Sequence, residues 1–132
     1  MAFLRRKIGE IPAVLQSKWP GRTLDEGFTP FPKRLLRCMD KLFVGEKAVN
    51  WLRIILSITD YLRPQMTRLP SIEFLAFTAG MTVAEFKTGM NEMAELGWVS
   101  FSGSDEAVNI KIDGLNKKIQ DLTAETVDEL LG

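Results

Sequence analysis

The stretch SIEFLAFTAGMTVAEFKTGMNEMAELGWV, Ser71 to Val99, decides the reading of this chain. Ser71 supplies a hydroxyl suited to cap a helix N-terminus, and Phe74, Leu75, Thr78 and Ala79 carry that helix to Gly80, which is free to end it in a left-handed turn. Thr82 opens a second helix, because Thr82-Val-Ala-Glu85 is a capping box, with Met81 placed to staple onto Phe86. Phe86, Met90 and Met93 recur at helical spacing as the inward face, and the helix ends near Leu96-Gly97. Two short helices that cross steeply need a small residue at the crossing, a turn glycine and an apolar anchor one turn into the second helix. Ala76, Gly80 and Phe86 meet those three needs. Gly89 is the one discordant residue, since a mid-helix glycine costs about 1 kcal/mol relative to alanine unless close packing requires it.

Downstream the period changes to two. Val99 and Phe101, then Val108, Ile110 and Ile112, flank a Gly103-Ser104 turn and read as a hairpin. Leu115, Ile119 and Leu122, continued by Val127, Leu130 and Leu131, give one or two terminal amphipathic helices. Upstream, Phe31-Pro32 opens a helix that runs to about Leu42, and Gly45 breaks it. Lys47 to Leu62 is the most regular helix. Trp51, Ile54, Ile55, Ile58 and Leu62 form its apolar face, widened by Leu52 and Leu56, and Asn50, Arg53, Ser57 and Asp60 form a narrow polar stripe. Arg63-Pro64 stops it. Residues 1–29 read as an arm in which Ile11 to Trp19 forms a short helix ended by Pro20-Gly21. The expected class is mainly α with a small β-hairpin (α+β), with an arm over 1–29, a domain over 30–113 and C-terminal amphipathic helices over 114–132.

The order helix, three-residue turn, helix, short strand, hairpin resembles the winged helix-turn-helix family. The likeness rests on Ala76, on Gly80-Met81-Thr82, on Phe86, Met90 and Met93, and on the exit Leu96-Gly97-Trp98-Val99. It covers about a third of the chain, or two thirds with the upstream helices. Gly89 departs from it, since the family pattern has a larger apolar residue there. A second, shorter likeness is carried by Gly27-Phe-Thr-Pro-Phe-Pro-Lys-Arg-Leu-Leu36. This segment resembles the opening of the winged-helix domain in phage and plasmid replication-initiation proteins, with Pro30-Phe31 in place of a simpler apolar residue. Those proteins normally carry a further domain for helicase loading or self-assembly, and no such domain is expected here.

The family resemblance implies a DNA-binding function, in transcription regulation or DNA replication, and it directs attention to particular side chains. With Phe86, Met90 and Met93 inward, Val83, Ala84, Glu85, Lys87, Thr88 and Asn91 face outward. Thr82, Lys87, Thr88 and Asn91 are then the candidates for phosphate and base-edge contacts. Lys33, Arg34, Arg37 and Lys41 share about one face of the first helix and form a candidate backbone clamp, or else a solvated face. Arg5, Arg6 and Lys7 are a candidate groove or phosphate arm, or else an idle basic end. Against these stand the absence of arginine from the second helix and the acidic tip at Asp105 and Glu106, which disfavours laying the wing along a phosphate backbone. The alternative is a winged-helix module that docks proteins through this acidic surface without binding DNA. The stripe of Leu115, Ile119, Leu122, Val127, Leu130 and Leu131 suits a homodimer contact, which would set two reading helices about one turn apart on DNA. Packing of the stripe on its own domain is the other option.

The formal net charge is zero, yet residues 1–63 carry 12 Lys and Arg against 6 Asp and Glu, while residues 64–132 carry 5 against 11. A polyanion therefore meets the N-terminal half more readily, although the two halves also suit each other, within one chain or across a dimer. The chain has no histidine, which removes the commonest general base and metal ligand. Its one cysteine, Cys38, builds neither a zinc site nor a disulfide and suits a reducing, cytoplasmic compartment. No glycine-rich phosphate loop appears, and Glu92 and Glu95 read as a solvated pair on a helix rather than an acid–base pair. Enzyme activity, a metal and a cofactor are not expected. No apolar run reaches bilayer length, and Phe3 to Ile8 is too short to anchor by itself.

Overall fold

A computed structural model describes residues 18, 21, 22, 31–62 and 69–131, with side chains described through residue 124. The chain divides into two compact units, Met1–Pro30 and Phe31–Gly132. In the first, Lys18 is helical and Gly21 and Arg22 form an exposed turn. The rest of the expected 11–19 helix lies outside the described residues, as do Arg5, Arg6 and Lys7.

The second unit is mainly α with one two-stranded antiparallel sheet, the class read from the sequence. Its elements are α1 (Lys33–Leu42), α2 (Ala48–Tyr61), α3 (Ile72–Ala79), α4 (Val83–Glu95), β1 (Ser100–Ser104), β2 (Ala107–Lys111) and α5 (Asp113–Leu131). Helix α2 is the hub, packed against both α3 and α4, while α1 and α5 pack together. Ile54, Ile55 and Ile58 of α2 are fully buried among Leu75 and Ala76 of α3 and Phe86, Met90 and Met93 of α4. Each such buried side chain contributes roughly 1.5–3 kcal/mol of apolar transfer.

Local chemistry ends the helices where the sequence places the signals. Ser71 Oγ accepts from the Phe74 amide at 3.2 Å, and Gly80 closes α3 with φ 72 and ψ 34, a region L side chains rarely adopt. The capping box is complete. The Glu85 amide donates to Thr82 Oγ1 at 3.1 Å, and the Thr82 amide donates to Glu85 Oε1 at 3.0 Å.

Gly89 is buried, and a Cβ there would lie 2.3 Å from Ile54 Cδ1. The absence of a side chain therefore makes room for Ile54 of α2 against α4, and its cost to the helix is offset in packing.

Two expectations are corrected. Ser57 does not belong to a solvent-facing polar stripe. It is buried, with Oγ 2.8 Å from the Leu75 carbonyl and 2.7 Å from Thr78 Oγ1, so α3 supplies its partners. The hairpin turn is at Asp105-Glu106 rather than Gly103-Ser104, because Ser104 pairs with Ala107 and Gly103 lies inside β1 opposite Val108. Phe101 shares the inward face with its partner Ile110, yet it stays 41% exposed while Ile110 is fully buried. The far edge of β2 is covered, since the Leu69 amide donates to the Val108 carbonyl at 2.9 Å; β1 is the outer strand. A single helix, α5, spans the C-terminal segment, within the expected one or two, and it contributes to the second unit's core. Leu115, Ile119 and Thr123 are buried in it, and Leu122 packs against it.

Trp98 ties the corner where α4 exits. Its ring lies edge-on to Phe43 at 5.7 Å and to Trp51 at 5.4 Å, and its carbonyl accepts from the Leu115 amide at 2.9 Å. Such edge-to-face pairs add about 0.5–1.5 kcal/mol each beyond burial. No helix among the described residues is long and apolar enough to cross a membrane.

Candidate functional site

Helix α4 buries Phe86, Gly89, Met90 and Met93 and leaves Thr82, Val83, Ala84, Glu85, Lys87, Thr88 and Asn91 exposed. The inward and outward sets are those the helical spacing dictates. Thr82, Lys87, Thr88 and Asn91 therefore share the outward side of one well-anchored helix.

Their chemical availability differs. Thr82 Oγ1 is engaged in the cap. Glu85, accepting the Thr82 amide and held also by the Thr82 side chain, has its carboxyl pKa lowered below the usual 4.5, so it stays ionised at the start of α4. Lys87 Nζ is paired with Asp105 Oδ2 of the hairpin turn at 2.5 Å. The acidic tip is legible in the sequence, but its reach across to Lys87 is not, since the two residues are 18 positions apart.

Between α4 and the hairpin runs a groove of about 240 Å³. Lys87 and Asn91 stand on one wall, Phe101 and Asp105 on the other, and Ile72 and Met90 contribute apolar lining. The hairpin tip is held in place by backbone bonds. The Ile72 amide donates to the Asp105 carbonyl at 2.8 Å, beside the Leu69–Val108 bond.

On α1, Lys33, Arg37 and Lys41 are exposed, whereas Arg34 is half-buried. Residues spaced by four keep Lys33, Arg37 and Lys41 along one face. Asp40 is exposed close to that arc, so the face is basic but interrupted. Leu36, 62% exposed, flanks it.

The residues assigned to a dimer seam divide. Leu115 and Ile119 are buried by this chain's own core and so have no surface to offer a second copy, whereas Leu122 is only partly covered by that core. The side chains of Val127, Leu130 and Leu131 lie outside the described residues.

Sequence reasoning missed a polar cluster at the α2–α4 crossing. Trp51 Nε1 donates to Glu92 Oε1 at 3.2 Å, and Lys47 Nζ forms an ion pair with Glu92 Oε2. The Lys47 bond, then the Trp51 bond, lowers the Glu92 pKa, and the Glu92 bond raises that of Lys47. Glu92 and Lys47 carried no pattern that joins them, being 45 positions apart. Arg53, read as stripe, reaches the turn between α3 and α4, where its guanidinium approaches the Gly80 carbonyl at 3.4 Å.

Cys38 is buried, with burial raising its thiol pKa above the usual 9.0, which disfavours the thiolate. Among the described residues no group of three or more His, Cys, Asp or Glu is placed to hold a metal ion. Comparison with protein-family models, curated proteins and solved structures gives no match to this chain.

Proposed function

We propose that this chain is a winged-helix DNA-binding protein, acting in transcription regulation or as an accessory to phage- or plasmid-type replication, with α4 as the reading helix. The observation that carries this reading is the exposure of Lys87, Thr88 and Asn91 together on α4, while its opposite face is locked into the core by Phe86, Gly89, Met90 and Met93. A helix so anchored offers rigid side chains to a groove, and an asparagine amide is suited to pair with the edge of adenine. The basic face of Lys33, Arg37 and Lys41 suits a phosphate clamp that carries no sequence information.

The test is fluorescence anisotropy with duplexes of random and selected sequence at about 50 and 200 mM salt. Asn91→Ala is expected to cost about 1–3 kcal/mol on a preferred site and little on random duplex. Arg37→Ala is expected to weaken binding to every sequence and to reduce the salt slope by about 1. Absence of binding even at the lower salt overturns the proposal.

A second reading, a protein-docking module, is favoured by one specific feature. The hairpin tip presents Asp105 and Glu106, where a DNA-tracking wing presents cations. On that reading a basic protein partner meets the α4–hairpin surface, and Glu106→Lys abolishes its capture while DNA mobility is never affected.

A further inference from the structure

We infer that Asp105 is a specificity-determining residue of the α4 surface: it occupies Lys87 as an internal substitute for phosphate and so suppresses indiscriminate binding to nucleic-acid backbone. The inference rests on the DNA-binding reading of α4 and assigns a role to the acidic turn that the reading by itself leaves as an obstacle.

Three observations combine. Lys87 is the only cation on the exposed face of α4, and its ammonium is engaged by the Asp105 carboxylate. The carboxylate is not at the end of a free loop, since the Asp105 carbonyl is bound by the Ile72 amide at the start of α3. Both side chains remain substantially in solvent, at 46% and 56% exposure, so the pair is screened and exchangeable rather than locked.

A phosphate approaching Lys87 must therefore displace one anion and accept another beside it, because Lys87, Asn91 and Asp105 line the same groove. A neutral base edge offered to Asn91 meets no such penalty. The pair thus lowers affinity for any backbone while leaving the amide contact intact, and specificity is the difference between those two affinities. Removing the carboxylate should release one additional phosphate contact, and each such contact adds about 0.9 to the salt slope.

The experiment is anisotropy of a short random-sequence duplex at about 50 and 200 mM salt, with wild type, Asp105→Asn, Lys87→Ala and the double variant. Glu106→Gln serves as a charge control, because it removes the same charge one residue away without a Lys87 contact. Thermal melts of all five proteins verify folding.

Asp105→Asn is expected to tighten random-duplex binding several-fold at the lower salt and to steepen the salt slope by about 0.9. The gain should disappear in the Lys87→Ala background and be clearly smaller in Glu106→Gln. No gain, a gain that survives without Lys87, or an equal gain from Glu106→Gln overturns the inference while the DNA-binding reading stands. Absence of binding by every variant, Asp105→Asn included, overturns both.

Discussion

Gly89 makes sense only in three dimensions. On helix propensity alone, alanine there is an improvement of about 1 kcal/mol. The added methyl, however, falls 2.3 Å from Ile54 Cδ1, and Ile54 is fully buried. Overpacking costs typically 1–3 kcal/mol, so Gly89→Ala is expected to lower stability by about 1 kcal/mol in urea denaturation. Ile54→Val removes the obstructing methyl. The double variant Gly89→Ala/Ile54→Val should be more stable than the sum of its singles, a coupling that pure propensity does not produce. Glu92 gives a second residue-scale test. Its pKa is depressed in the fold, first by Lys47 and then by Trp51. The folded chain therefore binds that proton less readily than the unfolded chain, so the stabilisation is complete above the ordinary value of 4.5 and is lost as pH falls through the depressed folded value. Lys47 runs the other way: its contribution is present below its ordinary 10.5 and is lost as pH rises through the raised folded value. Glu92→Gln should flatten both limbs of a stability–pH profile, and an unchanged acid limb would contradict the assigned pairing. Neither Gly89 nor Glu92 shows its partner to a sequence reading, because both contacts join α4 to α2 across more than thirty positions.

The elements themselves were largely legible. Ser71, Gly80 and the Thr82–Glu85 box act within one helical turn of their own position, so their chemistry is written in adjacent letters. Thr82→Ala removes the side-chain half of the box and should cost about 1 kcal/mol in thermal unfolding, with the larger effect expected if Glu85 is also neutralised. The hairpin was legible as a hairpin but its turn was displaced. A glycine–serine pair is the strongest nearby turn signal, yet the hairpin is also held by distant backbone that local pattern does not show: Leu69 and Ile72 bind Val108 and Asp105. Gly103 and Ser104 are thereby drawn into the paired strands, and the two acids already read at the tip form the turn itself, with the carboxylate that engages Lys87. The candidate site was accordingly half legible. Helical period alone identifies the outward side of α4, while the pairing of its lysine with the acidic tip joins residues 18 positions apart and lies beyond local pattern.

At the scale of the whole molecule, the C-terminal stripe carries the main revision. A run of apolar residues at helical spacing specifies that a face is covered, not what covers it. Here α5 closes the core of its own chain through Leu115 and Ile119. Leu115→Ala should therefore destabilise by about 2–5 kcal/mol, with an unfolding midpoint that does not move with protein concentration. A midpoint rising steeply with concentration would instead place Leu115 at an interface between copies. Among the described residues, the charge asymmetry between the two halves of the sequence shows itself within the second unit alone. It contributes local pairs such as Lys47–Glu92 across α2 and α4, and leaves α1 with a basic face in solvent.

The pairing of α1 with α5 also governs how the protein can be made. Leu35, Cys38 and Leu42 belong to one buried cluster with Leu115 and Ile119, so the first helix of the second unit finishes its contacts only with the last. A ribosome adding residues at about 5–20 per second takes roughly 4 to 16 s to travel the roughly 80 positions between them. During that interval the α1 apolar face has no final partner, and a chain halted before α5 emerges would expose it to chaperones and proteases. Maturation of this unit is thus set by the emergence of α5 rather than by the speed at which any single helix forms.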